Sequence, residues 1–255
     1  MTILAFSLVL AAALLHASWN FWLKIAGNRL VALATLAGGW LIVGSLAIIA
    51  LGTPNTVAWP YLLTSTVVHT AYALALIRSY KGGDLSMVYP VARGIGPLTV
   101  AAVSTIFLGE RLGVIGILGV VLVIAGAVWL GLPRTLPDVS NLLISIATGL
   151  LIGTYTLLDG LGGRIGSPHV FAAWLFLLTS LPIGVIALAV HRERLAAVQQ
   201  PVWLRGVTAG VLSAAAYWIV IWAMSQSQFG LVAALRESSV VFAAIFGAIF
   251  LKERV

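Results

Sequence analysis

An all-α bundle of membrane-spanning helices is predicted by three observations on this 255-residue chain. Hydrophobic residues make up 61% of it and charged residues 8%, against roughly 25% charged in a soluble domain, so a water-facing surface cannot be built. The apolar residues fall into nine runs, each long enough to cross a bilayer as a helix of about 20 residues. One pattern also occurs twice: an arginine deep in an apolar run is followed seventeen positions later by a glutamate, Arg93 by Glu110 and Arg236 by Glu253.

The runs lie near 3–22, 31–51, 60–79, 87–108, 112–132, 141–160, 169–190, 204–224 and 230–251. Helices follow because lipid offers no partner to backbone N–H and C=O groups, and the alternation of a membrane β-barrel is absent. The first run lacks a basic leader and a cleavage site, which reads as a span rather than a signal peptide. It carries His16 and Asn20 four apart on one face, with Trp19 beside them. The second and seventh runs are justified by length and apolarity alone. The third places His69 and Tyr72 on one face. The fourth, within SMVYPVARGIGPLTVAAVSTIFLGERL, carries Arg93 with Tyr89 nearby, and Pro90 and Pro97 as candidate hinges, because proline kinks a helix and frees a carbonyl. The fifth is glycine-rich, with Gly113, Gly116, Gly119 and Gly126 expected at helix contacts. The sixth carries Tyr155 and, near its predicted end, Asp159, read as interfacial. The eighth carries Tyr217 and Trp218, and the ninth Arg236 and Glu237.

Charge sets the expected orientation. The net charge of +7 is scattered between apolar runs, which excludes a nucleic-acid surface. Odd-numbered gaps hold ten basic residues and even-numbered gaps two, Arg111 and Arg164. The positive-inside rule then puts the odd gaps in the cytoplasm and the N-terminus outside. Lys24, Glu110, Arg111, Lys252, Glu253 and Arg254 read as boundary charges that pair locally.

The two arginine-to-glutamate blocks align as a duplication. GERL (109–112) lies opposite KERV (252–255), HTAYALAL (69–76) opposite AAAYWIVI (214–221), and LLHASWNFWLK (14–24) opposite LLIGTYTLLDG (150–160). Two units are expected, 1–135 with five spans and 136–255 with four, the tenth span being absent from this chain. Five is odd, so the units enter the membrane in opposite senses, a pattern tied to alternating access around a midplane site. Arg93 and Arg236 then fall on opposite sides of the midplane, about 10 Å apart along the normal from the helical rise. A charge this deep is costly unless it lines a cavity or finds partners. The expected substrate site is therefore Arg93 and Arg236, with Glu237 carrying protons or capping Arg93, and with His16, Trp19, Asn20, His69, Tyr72, Tyr89, Tyr155, Tyr217 and Trp218 around them.

HASWNFWLK, the YPVARG–P–LGERL block and the RESSVVFAAIFGAIFLKER block resemble the EamA-type branch of the drug/metabolite transporter superfamily over almost the whole chain. The resemblance implies a ten-helix fold of two inverted five-helix repeats and a central cavity. It implies export or exchange of small metabolites, often amino acids or related polar compounds. The expected location is the bacterial inner membrane. The family's termini are usually drawn as cytoplasmic, and the charge count here departs from that.

Other classes are poorly served by the sequence. No phosphate-binding loop, His-Glu-x-x-His or Gly-x-Ser-x-Gly motif occurs, so neither direct ATP coupling nor an enzyme is expected. Zero cysteine excludes disulfides, thiol catalysis and thiolate metal sites; no metal or cofactor is expected. The expected partners are a small metabolite, lipid and coupled protons. The alternative reading is a structural or assembly subunit without transport.

Overall fold

The computed structural model describes residues 1–25, 29–81, 85–131 and 139–251. They form helices α1 (Ile3–Ile25), α2 (Arg29–Leu51), α3 (Trp59–Lys81), α4 (Leu85–Ile106) and α5 (Val114–Gly131), then α6 (Val139–Ile165), α7 (Pro168–Ala196), α8 (Gln200–Gln226), α9 (Phe229–Arg236) and α10 (Ser239–Leu251). A short 3-10 turn at Thr56–Ala58 leads into α3. No strand occurs among the described residues.

Eight of the nine predicted runs correspond to one helix each. The ninth divides into α9 and α10, because the chain turns at Glu237 and Ser238 instead of continuing. The sixth run was drawn to end at 160, but α6 continues to Ile165, which moves Asp159 away from the helix end.

α2 packs most extensively on α7 and α8, α4 on α6, α1 on α8 and α3 on α6. One core cluster joins Val9, Val100, Val220, Met224, Phe229 and Val232 from α1, α4, α8 and α9. A second joins Leu62, Phe171, Leu175, Phe176 and Ile221 from α3, α7 and α8. The outward faces are apolar too: Ile3, Ile49, Phe107 and Val114 are more than 70% exposed. An exposed apolar surface of this extent belongs against lipid.

The closest helix crossing uses glycine. A Cβ on Gly210 of α8 would stand 2.2 Å from the Leu36 carbonyl oxygen, and one on Gly39 of α2 2.5 Å from that of Val207. The two backbones therefore touch. The glycines expected to do this in α5 do not: Gly113, Gly119 and Gly126 face open space, and only Gly116 meets a neighbour, Leu231. α5 lies at the periphery, with α4 and α9 as its chief partners, so most of its surface has no helix to approach.

Candidate functional site

Arg93 and Arg236 are buried at 6% and 4% exposure, and Glu237 at 5%. The Arg93 Nε lies 2.7 Å from Glu237 Oε2, and Arg236 Nη2 lies 3.6 Å from Oε1. The turn after α9 aims one carboxylate at both guanidinium groups. Both arginines therefore reach the same residue. Arg93 also donates from Nη2 to Ser239 Oγ at 2.6 Å and from Nη1 to His16 Nε2 at 3.0 Å. It is thus held by α1, by the turn after α9 and by the first turn of α10. Arg236 is held less tightly, with the longer ion contact and an Nε that finds no hydrogen-bond partner among the described residues.

A second buried constellation surrounds Asp159, which is fully buried and not interfacial. Its Oδ1 accepts from the Ser65 hydroxyl, and its Oδ2 from the Tyr217 hydroxyl and from His69 Nε2 at 3.0 Å. Three donors, from α3 and α8, converge on one carboxylate of α6. They supply the hydrogen bonds that a buried carboxylate requires.

Between the two constellations lies a cavity of about 130 Å³. This is below the roughly 300–1,000 Å³ of drug-sized sites and suits a metabolite. Its wall includes the predicted His16, Trp19, Asn20, His69, Tyr72, Tyr155, Tyr217, Arg93 and Arg236. His69 stacks on Tyr155 with ring centroids 4.0 Å apart, and Tyr72 meets Tyr155 edge-on at 5.5 Å. Glu237 acts behind the wall through the arginines. Trp218 points elsewhere, donating from Nε1 to His169 Nδ1 at 2.9 Å. One residue past Tyr217, it is turned about 100° around α8, toward α7. The side chains of Tyr89 and Pro90 lie outside the described residues. Pro97 is buried within α4, which is helical on both sides of it, so the discontinuity lies at Glu237 and not at Pro97.

Sequence reasoning missed Trp40, Thr179, Ser180 and Ser213, which also line the cavity. Trp40 lies nearly parallel to the Tyr217 ring at 6.3 Å and contacts Phe176 at 4.9 Å. A tryptophan in the middle of a span, far from the interfaces tryptophan prefers, was the available signal. The indole Nε1 groups of Trp19 and Trp40, the Arg236 Nε and the Thr179 hydroxyl are all buried without a hydrogen-bond partner among the described residues. No carboxylate lies among the described lining residues. The wall therefore has donors in excess and a positive side.

In the first four helices the cavity uses the odd-gap end, the last part of α1 and α3 and the first half of α2 and α4, while α6, α7 and α8 line it from their middles. The even-gap side is tied together. Arg164 donates to the Met224 and Ser227 carbonyls and pairs with Glu110 at 2.7 Å, and its guanidinium lies 3.7 Å over the Phe229 ring. The other Glu110 oxygen accepts the Phe229 N–H at the start of α9, at 2.8 Å, where the helix dipole favours an anion. Gln228 donates to the Arg111 carbonyl, and Trp174 to that of Gly52. Glu110 thus pairs 54 positions away, not locally as expected. The side chains of Lys24, Lys252, Glu253 and Arg254 lie outside the described residues.

Residues 139–255 match the EamA-like transporter family, and residues 31–123 match the Small Multidrug Resistance protein family. Both are families of the drug/metabolite transporter type, and the two matched stretches follow one another along the chain. One solved crystal structure aligns with 99% of this chain and 88% of its own at a TM-score of 0.75 and 18% identity, which establishes a shared fold. No curated protein matches it in sequence. The two matches support a membrane transporter of that type for a small molecule, and the apolar helices an integral membrane protein.

Proposed function

We propose that this chain is a secondary transporter that exports or exchanges a small amphipathic, carboxylate-bearing metabolite, amino-acid-like or related, by alternating access in a bacterial inner membrane. The carrying observation is the donor excess of the cavity wall: Arg236, Trp19, Trp40 and Thr179 hold buried donors without acceptors among the described residues. A carboxylate supplies acceptors to these donors. The solute's apolar body then lies against Tyr72, Tyr155 and Trp40. Arg236 binds, and Arg93, fastened by Glu237, His16 and Ser239, positions.

Two inverted units, 1–135 and 136–255, fit this mechanism. The pairing of helix contacts supports them. α1 against α8 corresponds to α6 against α3, and α4 against α6 corresponds to α9 and α10 against α1. Each is the other displaced by five spans.

The test is a thermal-stabilisation screen of the purified protein with amino acids and small carboxylates. Arg236→Ala is expected to lower the melting temperature less than Arg93→Ala does and to lose the ligand-induced shift. Arg93→Ala is expected to lower the melting temperature itself. Undiminished stabilisation of Arg236→Ala would sink the assignment.

A further inference from the structure

We infer that the cavity takes up a monoanion together with one proton, and that His69, held by Asp159, is the proton acceptor. This rests on the carboxylate reading above and adds the coupling ion and the net charge of the solute.

The argument begins with charge. Around the cavity the described residues bury two guanidinium groups, Arg93 and Arg236, and two carboxylates, Asp159 and Glu237. With the histidines neutral, these sum to zero. An entering carboxylate adds one negative charge without a partner, and an uncompensated buried charge costs several kcal/mol. A proton taken up at the same time removes that cost.

Two histidines line the cavity. His16 is the poorer acceptor. Its Nε2 already accepts from Arg93 at 3.0 Å, and a proton there would bring two cations into contact. His69 is placed oppositely. Its Nε2 is 3.0 Å from Asp159 Oδ2, and the hydroxyls of Ser65 and Tyr217 also donate to that carboxylate. Asp159 is thereby solvated as an anion, and His69 bears its proton on Nε2. The incoming proton adds to Nδ1, giving an imidazolium paired with Asp159. The ring also stacks on Tyr155 and meets Trp40 edge-on at 6.1 Å, and aromatic faces favour a cation.

The titratable and charged groups facing this site are Asp159 and Tyr155 from α6 and Tyr217 from α8. Farther round the wall are His16 of α1, Tyr72 of α3, Arg93 of α4 and Arg236 of α9, with Glu237 behind. α2 and α7 contribute Trp40, Thr179 and Ser180, which do not titrate. With no carboxylate among the described lining residues, a solute ammonium finds no counter-charge, so a plain carboxylate fits better than a zwitterion.

The experiment measures proton uptake by the purified chain in weakly buffered detergent solution, with phenylacetate as probe and phenylalanine as the zwitterionic comparison. Phenylacetate is expected to bind with uptake of one proton per anion, and more tightly than phenylalanine. His69→Gln keeps an N–H for Asp159. It is expected to bind phenylacetate without proton uptake. Should that variant not fold, spectra of isotope-labelled histidine in the wild type decide: one ring becomes imidazolium as phenylacetate saturates. Phenylacetate binding without proton uptake, uptake that persists in His69→Gln, or tighter binding of phenylalanine overturns the inference and leaves the carboxylate reading standing. If none of phenylacetate, benzoate and indole-3-acetate binds the wild type, both fall together.

Discussion

Replacing Glu237 by glutamine isolates the charge that joins the two arginines. Arg93 and Arg236 approach this carboxylate at 2.7 and 3.6 Å, and all three residues are at most 6% exposed. At an effective dielectric near 20, unit charges about 4 Å apart attract by about 4 kcal/mol. Removing one partner of a buried pair costs about 3–5 kcal/mol. Arg93 keeps His16 and Ser239, which limits its share, whereas Arg236 loses the ion contact that the described residues provide. A loss of about 4 kcal/mol is expected, which at about 2–4 °C per kcal/mol for a chain of this size lowers the melting temperature by roughly 10 °C. Intrinsic fluorescence of the nine tryptophans follows the transition in detergent. Adding Arg236→Met to Glu237→Gln removes the stranded cation and is expected to restore several degrees. Carboxylate affinity is expected to move the other way. With its internal competitor gone, Arg236 should bind about tenfold more tightly, a gain of about 1.4 kcal/mol. A melting shift under about 3 °C, corresponding to about 1 kcal/mol, together with purely additive loss in the double variant, would refute the shared-carboxylate argument.

Further outcomes follow from other contacts. Gly210→Ala places a methyl 2.2 Å from the Leu36 carbonyl oxygen and is expected to cost about 1–3 kcal/mol in the same melt, as overpacking does. Gly119→Ala, which meets nothing within 4 Å, is expected to leave stability unchanged or raise it by about 0.5–1 kcal/mol. Trp40→Phe keeps a ring against Phe176 and removes an unspent N–H. It is expected to weaken carboxylate binding severalfold at constant melting temperature, which calorimetry reads directly. Because the chain has no cysteine, Ser213→Cys introduces a single thiol in the cavity. An impermeant maleimide is expected to label it from the odd-gap side, and labelling from the even-gap side is expected to rise when Arg164→Ala removes the contacts to Met224, Ser227, Glu110 and Phe229.

Helix positions were legible because an apolar run bounded by charges has one solution in lipid. That His16 and Tyr72 line the cavity was legible from helical spacing, and that Arg236 does so from the cost of a charge deep in an apolar run. What failed depended on long-range contacts. Nothing local in RESSVV distinguishes a continuous helix from the turn that brings Glu237 between two arginines. Asp159 was misplaced because Gly160, Gly162 and Gly163 look like the end of a span, yet α6 continues through them to Ile165. Gly162 has little room for a side chain, since a Cβ there would lie 2.0 Å from the Phe171 ring. Trp40 has no polar neighbour at helical spacing to mark it; its partners come from α3, α7 and α8.

The bare contact between Gly39 and Gly210 constrains any rocking motion. Two rods that meet without side chains between them can pivot about the meeting point, but they cannot slide along it without driving Leu36 or Val207 into the opposing main chain. α2 meets α7 in the same way, a Cβ on Gly44 standing 2.8 Å from the Ala173 carbonyl oxygen, so α2 is pinned at two such crossings. A bulky residue grafted at Gly39 or Gly210 acts as a wedge between α2 and α8.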